Sequence, residues 1–286
     1  MSRRSPAAST RPLLVVDGDS FAHRAYHALP KTIRRAGNKG AGAIVGFANY
    51  LIRFFDAEHP RAVRVAWDTL AVRNWRAKIF PPYQAGRVFD PSLLEQLDAL
   101  PELVKAFGFF VAKADGFEAD DFLAAAVRRE ERRGGSVVVA SGDRDSFQLA
   151  SAATTILHPI GSGQLARIGP DEVRERYGVD PAQVPDFIAL RGDPSDKIPG
   201  AKGIGAHGAA TFLRQNGSLD AALAKGMLAS QAEALRLYLR LATMDASAPI
   251  PRIRDRQPDW RSAARLAAEW ELIDLASRLA KRAEAD

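Results

Sequence analysis

Short runs rich in β-branched and aromatic residues recur along this chain with stretches of helical period between them, and that alternation limits the folds open to it. The runs are Leu13–Val16, Val63–Trp67, Phe109–Val111, Val137–Ala140 and Thr155–Leu157. Neighbouring parallel strands need a crossover of about a dozen residues, normally a helix, whereas antiparallel ones need only a tight turn. The spacing therefore predicts an α/β fold with a mainly parallel central sheet flanked by helices. Ile44, Phe47, Ala48, Leu51, Ile52 and Phe55 form one apolar helix face; Leu93, Leu97, Leu100, Val104 and Phe107 form another, in which Pro101 predicts a break or restart. From Gly161 onward strand signals fade. Asp171–Tyr177, Pro185–Leu190, Ala206–Arg214, Ser230–Ala242 and one or two segments within Trp260–Lys281 read as helices joined by Gly and Pro loops. The expected organisation is a disordered tail over 1–12, an α/β core over 13–160 and a helical part over 161–286.

With 286 residues, 47% hydrophobic and 26% charged, the chain reads as a globular protein with one sizeable core. It has no cysteine, which excludes disulfides, thiolate zinc sites and a cysteine nucleophile and fits a reducing cytoplasm. No run approaches the roughly 18 to 20 apolar residues of a membrane span. The basic start MSRRSPAASTRP leads into only a short apolar run, which argues against a secretory signal.

Open parallel sheets bind ligands outside the carboxyl ends of their strands. Asp17 follows the first run and Asp68 the second. Glu118, Asp120 and Asp121 come shortly after the third, Asp143 and Asp145 after the fourth, and Asp193 and Asp196 lie in a later loop. An aspartate after a strand is also an ordinary turn residue or helix N-cap, and Asp120 and Asp121 could both cap the helix carrying Phe122 and Leu123. Five such loops in one chain weaken that reading for the set. Carboxylates gathered at one edge repel one another unless cations neutralise them. Oxygen ligation without His or Cys suits Mg2+ or Mn2+, and two such ions about 3.5 to 4 Å apart can activate water and clamp a phosphate. Setting these nine acids aside leaves the other 25 facing 40 lysines and arginines, a field that favours a polyanionic partner.

The motifs VVDGDSFAHRAYHAL, Trp67–Asp68, YQAGR, GFEADD, SGDRDSFQL and LRGDPSDKIPGAKGIG occur in that order over nearly the whole chain. With them the sequence resembles the 5′-nuclease family of bacterial DNA polymerase I 5′-3′ exonuclease domains, phage 5′-exonucleases and flap endonucleases. The resemblance implies a PIN-like fold, with an arch at about 72–92 and a helix-hairpin-helix at about 185–214. It implies one metal site from Asp17, Asp68, Glu118 and Asp120 with Asp121 in support, and a second from Asp143, Asp145, Asp193 and Asp196. Asp17, Asp68, Glu118, Asp120, Asp143 and Arg87 are the expected catalytic residues, working with two Mg2+ for which Mn2+ substitutes. The expected substrate is DNA with 5′ flaps, nicks or free 5′ ends, possibly RNA-primed, cut by a monomer whose pathway partners are DNA polymerase and ligase. The length leaves no room for a polymerase, so a stand-alone cytoplasmic, nucleoid-associated member is expected.

In the stretch corresponding to the arch, Arg73, Arg76, Lys78 and Arg87 interleave with Trp75, Phe80, Tyr83 and Phe89, the mix of cations and rings that holds single strands. A solvated loop pinned by a few apolar anchors would look similar. Gly200, Lys202, Gly203 and Gly205 lie between two expected helices, where backbone N–H groups can approach phosphate and, in the family, a potassium ion often binds; a ligand-free glycine turn is the plainer reading. Arg24, beside the Asp17 loop, matches a family position near the scissile phosphate. Gln84 stands where the family usually carries Lys, and Lys197, His207 and Gly208 depart from the usual hairpin. Three other functions stay open: a phosphatase with Asp17 as nucleophile, a branched-DNA-binding protein that cuts poorly, and a metal-dependent ribonuclease.

Overall fold

The computed structural model describes residues 11–161 and 163–285. The disordered tail expected over 1–12 falls almost wholly outside them. Its centre is a six-stranded sheet: β1 (Leu13–Asp17), β4 (Ala62–Ala66), β5 (Phe110–Ala112), β6 (Val137–Ala140), β7 (Thr154–Gly161) and β8 (Gln164–Ile168), in the order β5-β4-β1-β6-β7-β8. All pairs are parallel except β7–β8. Apart from it stands a small antiparallel pair, β2 (Arg34–Arg35) and β3 (Lys39–Gly40).

Continuous apolar strands such as LLVV are buried on both faces, as parallel sheets require. Leu14 and Val16 point to a core built with α1 (Gly18–Ala28), α2 (Gly42–Glu58) and α4 (Pro91–Ala106). Leu13 and Val15 point to the opposite core, filled by α5 (Ala119–Glu131), α7 (Val184–Arg191), α8 (Ala206–Asn216) and α10 (Ala232–Ala242). The short helices α3 (Trp75–Ile79), α6 (Pro170–Tyr177) and α9 (Leu219–Ala224) fill the connections. The last two, α11 (Trp260–Glu269) and α12 (Ile273–Ala285), cross back to the first core, where Trp260 meets Phe55 and Phe107 edge-on.

Two expectations are corrected. Pro101 lies inside a continuous α4, so the helix tolerates one missing backbone donor instead of breaking. Strand structure does not end at Gly161: β8 pairs antiparallel with β7, Leu157 opposite Arg167 and His158 opposite Ala166. Its run QLARI is an edge strand with an exposed polar residue on each face, Gln164 and Arg167, and so lacks the apolar run of the central strands.

The chain builds β1, moves outward through β4 to β5, then returns to β6 on the other side of β1. The crevice at that reversal, outside the carboxyl ends of β1 and β6, is where an open α/β sheet takes its ligand.

Candidate active site

Asp17 ends β1 and is the N-cap of α1: Oδ1 accepts from the Ser20 N–H at 3.0 Å, and Oδ2 accepts from the Ser141 hydroxyl at 2.7 Å. Gly18 follows because the Trp67 ring lies against it; a Cβ there would stand 2.6 Å from the indole. Across the crevice Asp143 follows β6 and caps the next turn, accepting from Asp145 N–H at 2.9 Å. Asp68, after β4, accepts from Ala119 N–H at 2.7 Å, and Glu118 is the N-cap of α5. The loop after α7 brings Asp193 and Asp196, its turn closed by paired backbone bonds between Asp193 and Ile198 at 2.8 Å.

One cavity of about 380 Å³ collects Asp17, Asp68, Glu118, Asp120, Asp143 and Asp196, with Gln84 and Arg87. Asp145 and Asp193 stand beside it, close enough for their charges to be felt by Asp143. Burial, then repulsion from Asp68 and Asp143, raises Asp17 to about 7. Burial also pushes Glu118 up to about 7, against the pull of Arg76. Asp120 and Asp145 are raised well above the usual carboxylate range by burial followed by their acidic neighbours, and Asp68, Asp143 and Asp196 are raised as well. A set of crowded, largely desolvated carboxylate oxygens so short of positive charge fits hard divalent cations in its donor chemistry.

Among the described residues no three His, Cys, Asp or Glu side chains stand closed around a point that could hold an ion. Their oxygens are turned to hydrogen-bond donors instead. The Gln84 amide donates to Glu118 Oε1 at 3.1 Å and Asp196 Oδ1 at 3.0 Å, and Arg87 donates to Asp196 Oδ1 at 3.1 Å.

Four expected roles are corrected. Asp121 is fully buried with both oxygens committed: Oδ1 to Arg76 Nη2 and Asp245 N–H, each at 2.8 Å, and Oδ2 to Arg76 Nη1 at 3.0 Å, Trp75 Nε1 and the Glu118 N–H. It has no oxygen to offer a metal. Arg76, expected on phosphate, is only 3% exposed and also donates to Glu118 at 2.7 Å and to the carbonyls of Leu241 and Thr243. Tyr83, expected to face DNA, is buried with its hydroxyl 3.2 Å from Glu118 and Asp196. Gly200, half-buried, is required as glycine by the close backbone of Arg191 and Gly192; a Cβ there would stand 2.5 Å from Gly192 N.

Gln84, also expected on DNA, is half-buried with its amide on Glu118 and Asp196, while the remaining expected DNA contacts are exposed. Arg24 lies beside Gly142 at the crevice, and Arg73 lines a second cavity of about 430 Å³ that shares Asp68, Gln84, Arg87 and Glu118 with the first. Lys78, Arg87, Lys202, Gly203 and Gly205 also face solvent. Gly205 is the N-cap of α8 and offers no side-chain cap to the helix N-terminus.

Two cavity residues escaped the sequence reading. Asp19 Oδ2 accepts from the Asp68 N–H at 2.7 Å, and burial holds its carboxyl well above the usual range. His23 lines the mouth edge-on to Phe89, its pKa lowered by burial. Both sit in the first turns of α1, two and six residues after Asp17 and four residues apart, so the shared helix face of Asp19 and His23 was the signal that could have found them.

A family model described as the 5′-3′ exonuclease N-terminal resolvase-like domain matches residues 12–178, and one described as the 5′-3′ exonuclease C-terminal SAM fold matches residues 179–259. DNA polymerase I of Mycobacterium tuberculosis is 40% identical over 210 residues, covering 72% of this chain and 23% of that protein. The thermostable DNA polymerase I of Thermus thermophilus is 35% identical over 260 residues, 86% of this chain and 30% of that one. The chain thus spans less than a third of the length of these relatives. Among solved structures, the 5′-exonuclease of bacteriophage T5 with bound divalent zinc superposes with a TM-score of 0.69 at 20% identity, covering 95% of this chain and 98% of that one. Two adjoining domain matches in the family order, with relatives at this identity, show that the chain belongs to the 5′-3′ exonuclease family.

Proposed function

We propose that the protein is a structure-dependent 5′-nuclease that hydrolyses DNA phosphodiesters near 5′ ends or flap junctions. The observation that carries this reading is the crowding of carboxylates, Asp17 and Glu118 buried and most of the others partly so, from four strand ends and a later loop into one crevice. Asp17, Asp68, Glu118 and Asp120 would hold one Mg2+ and Asp143, Asp145, Asp193 and Asp196 a second, with Mn2+ able to substitute. When bound, such ions supply an activated water and neutralise charge on the scissile phosphate.

The chain's own residues do the remaining work. Arg87 and Arg24, exposed at the cavity mouth, orient the scissile phosphate. Arg73 and Lys78 accompany the single strand beneath the arch. The uncapped N-terminus of α8, with Lys202, Gly203 and Gly205, receives a phosphate of the duplex, because a helix start and close backbone N–H groups favour anions. A potassium ion at this turn is part of the same reading, as is work in primer removal and repair beside DNA polymerase and ligase.

The test is cleavage of a labelled 5′-flap duplex in Mg2+, Mn2+ or EDTA, comparing the native protein with Asp68→Asn. Short products released from the 5′ side only with metal, and lost in Asp68→Asn while binding persists, are expected. Gln84 favours a second reading, a branched-DNA-binding protein that cuts poorly, because no lysine stands at this position between Glu118 and Asp196. Saturated binding without cleavage in either ion would establish that reading in place of the first.

A further inference from the structure

Beside the arch lies a third and larger hollow, of about 760 Å³, to which the nuclease reading gives no role. Trp75 and Ile79, four residues apart on α3, form one wall; Phe117 and Met244 add apolar surface; Arg128 of α5 and Arg240 of α10 complete the lining. Phe117 also lines the second cavity, and that cavity shares Asp68, Gln84, Arg87 and Glu118 with the carboxylate crevice. Adjoining cavities thus lead from the carboxylates, past the arch residues, to the hollow.

Its charge is arranged for an anion. On α5 the acids point inward: Glu130 binds the buried Arg61 at 2.6 Å and Glu131 accepts from Thr154 at 2.6 Å, which leaves Arg128 on the outer side. Arg128 and Arg240 are exposed and, among the described residues, neither is in an ion pair. Asp245, the one acid in the lining, accepts from Ser247 N–H at 2.8 Å through Oδ1, and its single charge is outnumbered by the two arginines. The Trp75 indole is held in place by its Nε1 bond to Asp121 at 3.2 Å, with the buried Arg76 guanidinium 4.4 Å and the exposed Arg240 guanidinium 5.6 Å from the ring centre. A partly buried ring fixed in advance beside two cations that stand in no ion pair suits a base with its flanking phosphates, and contact with the ring is indifferent to base identity.

We propose that this hollow seats the single-stranded 5′ tail of the substrate after it has passed the arch, with bases against Trp75 and Phe117 and phosphates at Arg128 and Arg240. The proposal rests on the flap-nuclease reading. It makes affinity depend on tail length: a short tail ends under the arch, and a longer one reaches the hollow.

The experiment measures binding by fluorescence anisotropy in EDTA, so that nothing is cut, using duplexes with 5′ tails of about two or about ten thymidines, lengths that bracket the smaller single-strand sites. The native protein is expected to hold the longer tail about tenfold more tightly, a gain that comes mainly from two phosphate contacts at Arg128 and Arg240 and is completed by ring contact. The double variant Arg128→Gln, Arg240→Gln should lose most of that gain, with unchanged affinity for the short tail and unchanged cleavage of it in Mg2+. Its slope of log affinity against log salt on the long tail should fall by about 1.4, from two phosphate contacts at about 0.7 each. No length dependence in the native protein, or the same dependence in the double variant, overturns the exit seat while normal cleavage of the short-tailed duplex leaves the nuclease reading standing. Failure of the native protein to cut that duplex in Mg2+ brings down the nuclease reading and the seat together.

Discussion

Gln84 joins the two halves of the carboxylate crevice through one neutral amide, and it does so from a strained position. Its φ of 50° lies in the left-handed region, which costs a non-glycine residue about 1 kcal/mol or more, and three side-chain hydrogen bonds hold it there. A lysine in its place would bring a cation between Glu118 and Asp196. Gln84→Lys should therefore raise the stability of the metal-free protein by about 1 kcal/mol, about 2 to 4 °C in thermal midpoint, and raise the Mg2+ concentration needed for half-maximal cleavage. If the cation is what the chemistry lacks, saturating Mg2+ will reveal a faster rate; an unchanged rate means Arg87 already supplies it. Proton binding gives a second prediction. Asp17 and Glu118 have folded values near 7, above their ordinary 3.8 and 4.5, so their stabilising contribution is complete below those ordinary values and is lost as pH rises through about 7. In EDTA the thermal midpoint should fall between about pH 4 and about pH 7, and Mg2+ should abolish most of that fall by replacing the protons; a flat midpoint in EDTA would contradict the desolvation described here. The positions of the aspartates after strands were legible because strand and loop alternate in the sequence. The partners of Arg76 and Asp121 were not, since an arginine in a basic stretch looks the same whether it faces solvent or ends in a buried fork 45 residues away.

The helix α3 is latched to the core by that fork. All three nitrogens of the Arg76 guanidinium are bonded, to Glu118, Asp121 and the carbonyls at the end of α10, so α3, the start of α5 and the end of α10 share one node. Removing one side of a buried pair strands the other, so Arg76→Met should cost about 3 to 5 kcal/mol in urea unfolding. A loss under about 1 kcal/mol would mean the node is not closed in solution. The loop after α7 is shaped by a different device, the close crossing of Gly192 and Gly200, both at positive φ, which folds Asp193 and Asp196 back toward the crevice. At this scale the long amphipathic helices were legible from period alone, α2 most clearly. The edge strand β8 and the two-residue strands β2 and β3 were not, because a short or one-sided strand carries too few apolar residues to show a period.

Over the whole molecule, 40 basic residues face 34 acids, and many of those acids are gathered in one crevice, so the remaining surface is strongly positive. Binding dominated by phosphate contacts loses affinity steeply with salt: with about six contacts the dissociation constant for flap DNA should rise about a thousandfold between about 50 mM and about 200 mM salt, with little dependence on sequence. Salt-independent binding would contradict that distribution of charge. The fold class followed from the alternation of runs, yet the return of α11 and α12 to the face of α2 and α4 could not, because amphipathic helices do not say which of two cores they will cover. The sheet order has a consequence for the protein while it is being made. Asp17 lies at the first strand, Asp193 and Asp196 follow α7, and the reversal after β5 brings these distant segments to one crevice. A ribosome that has released only the first 180 or so residues has delivered a sheet that can begin to form but not the last two acids, since domains fold from the N-terminal end as they emerge. The nascent chain is thus without the full set of acids until the loop at 193–196 has left the tunnel, and nucleic acid close to the site of synthesis meets the completed crevice only after that point.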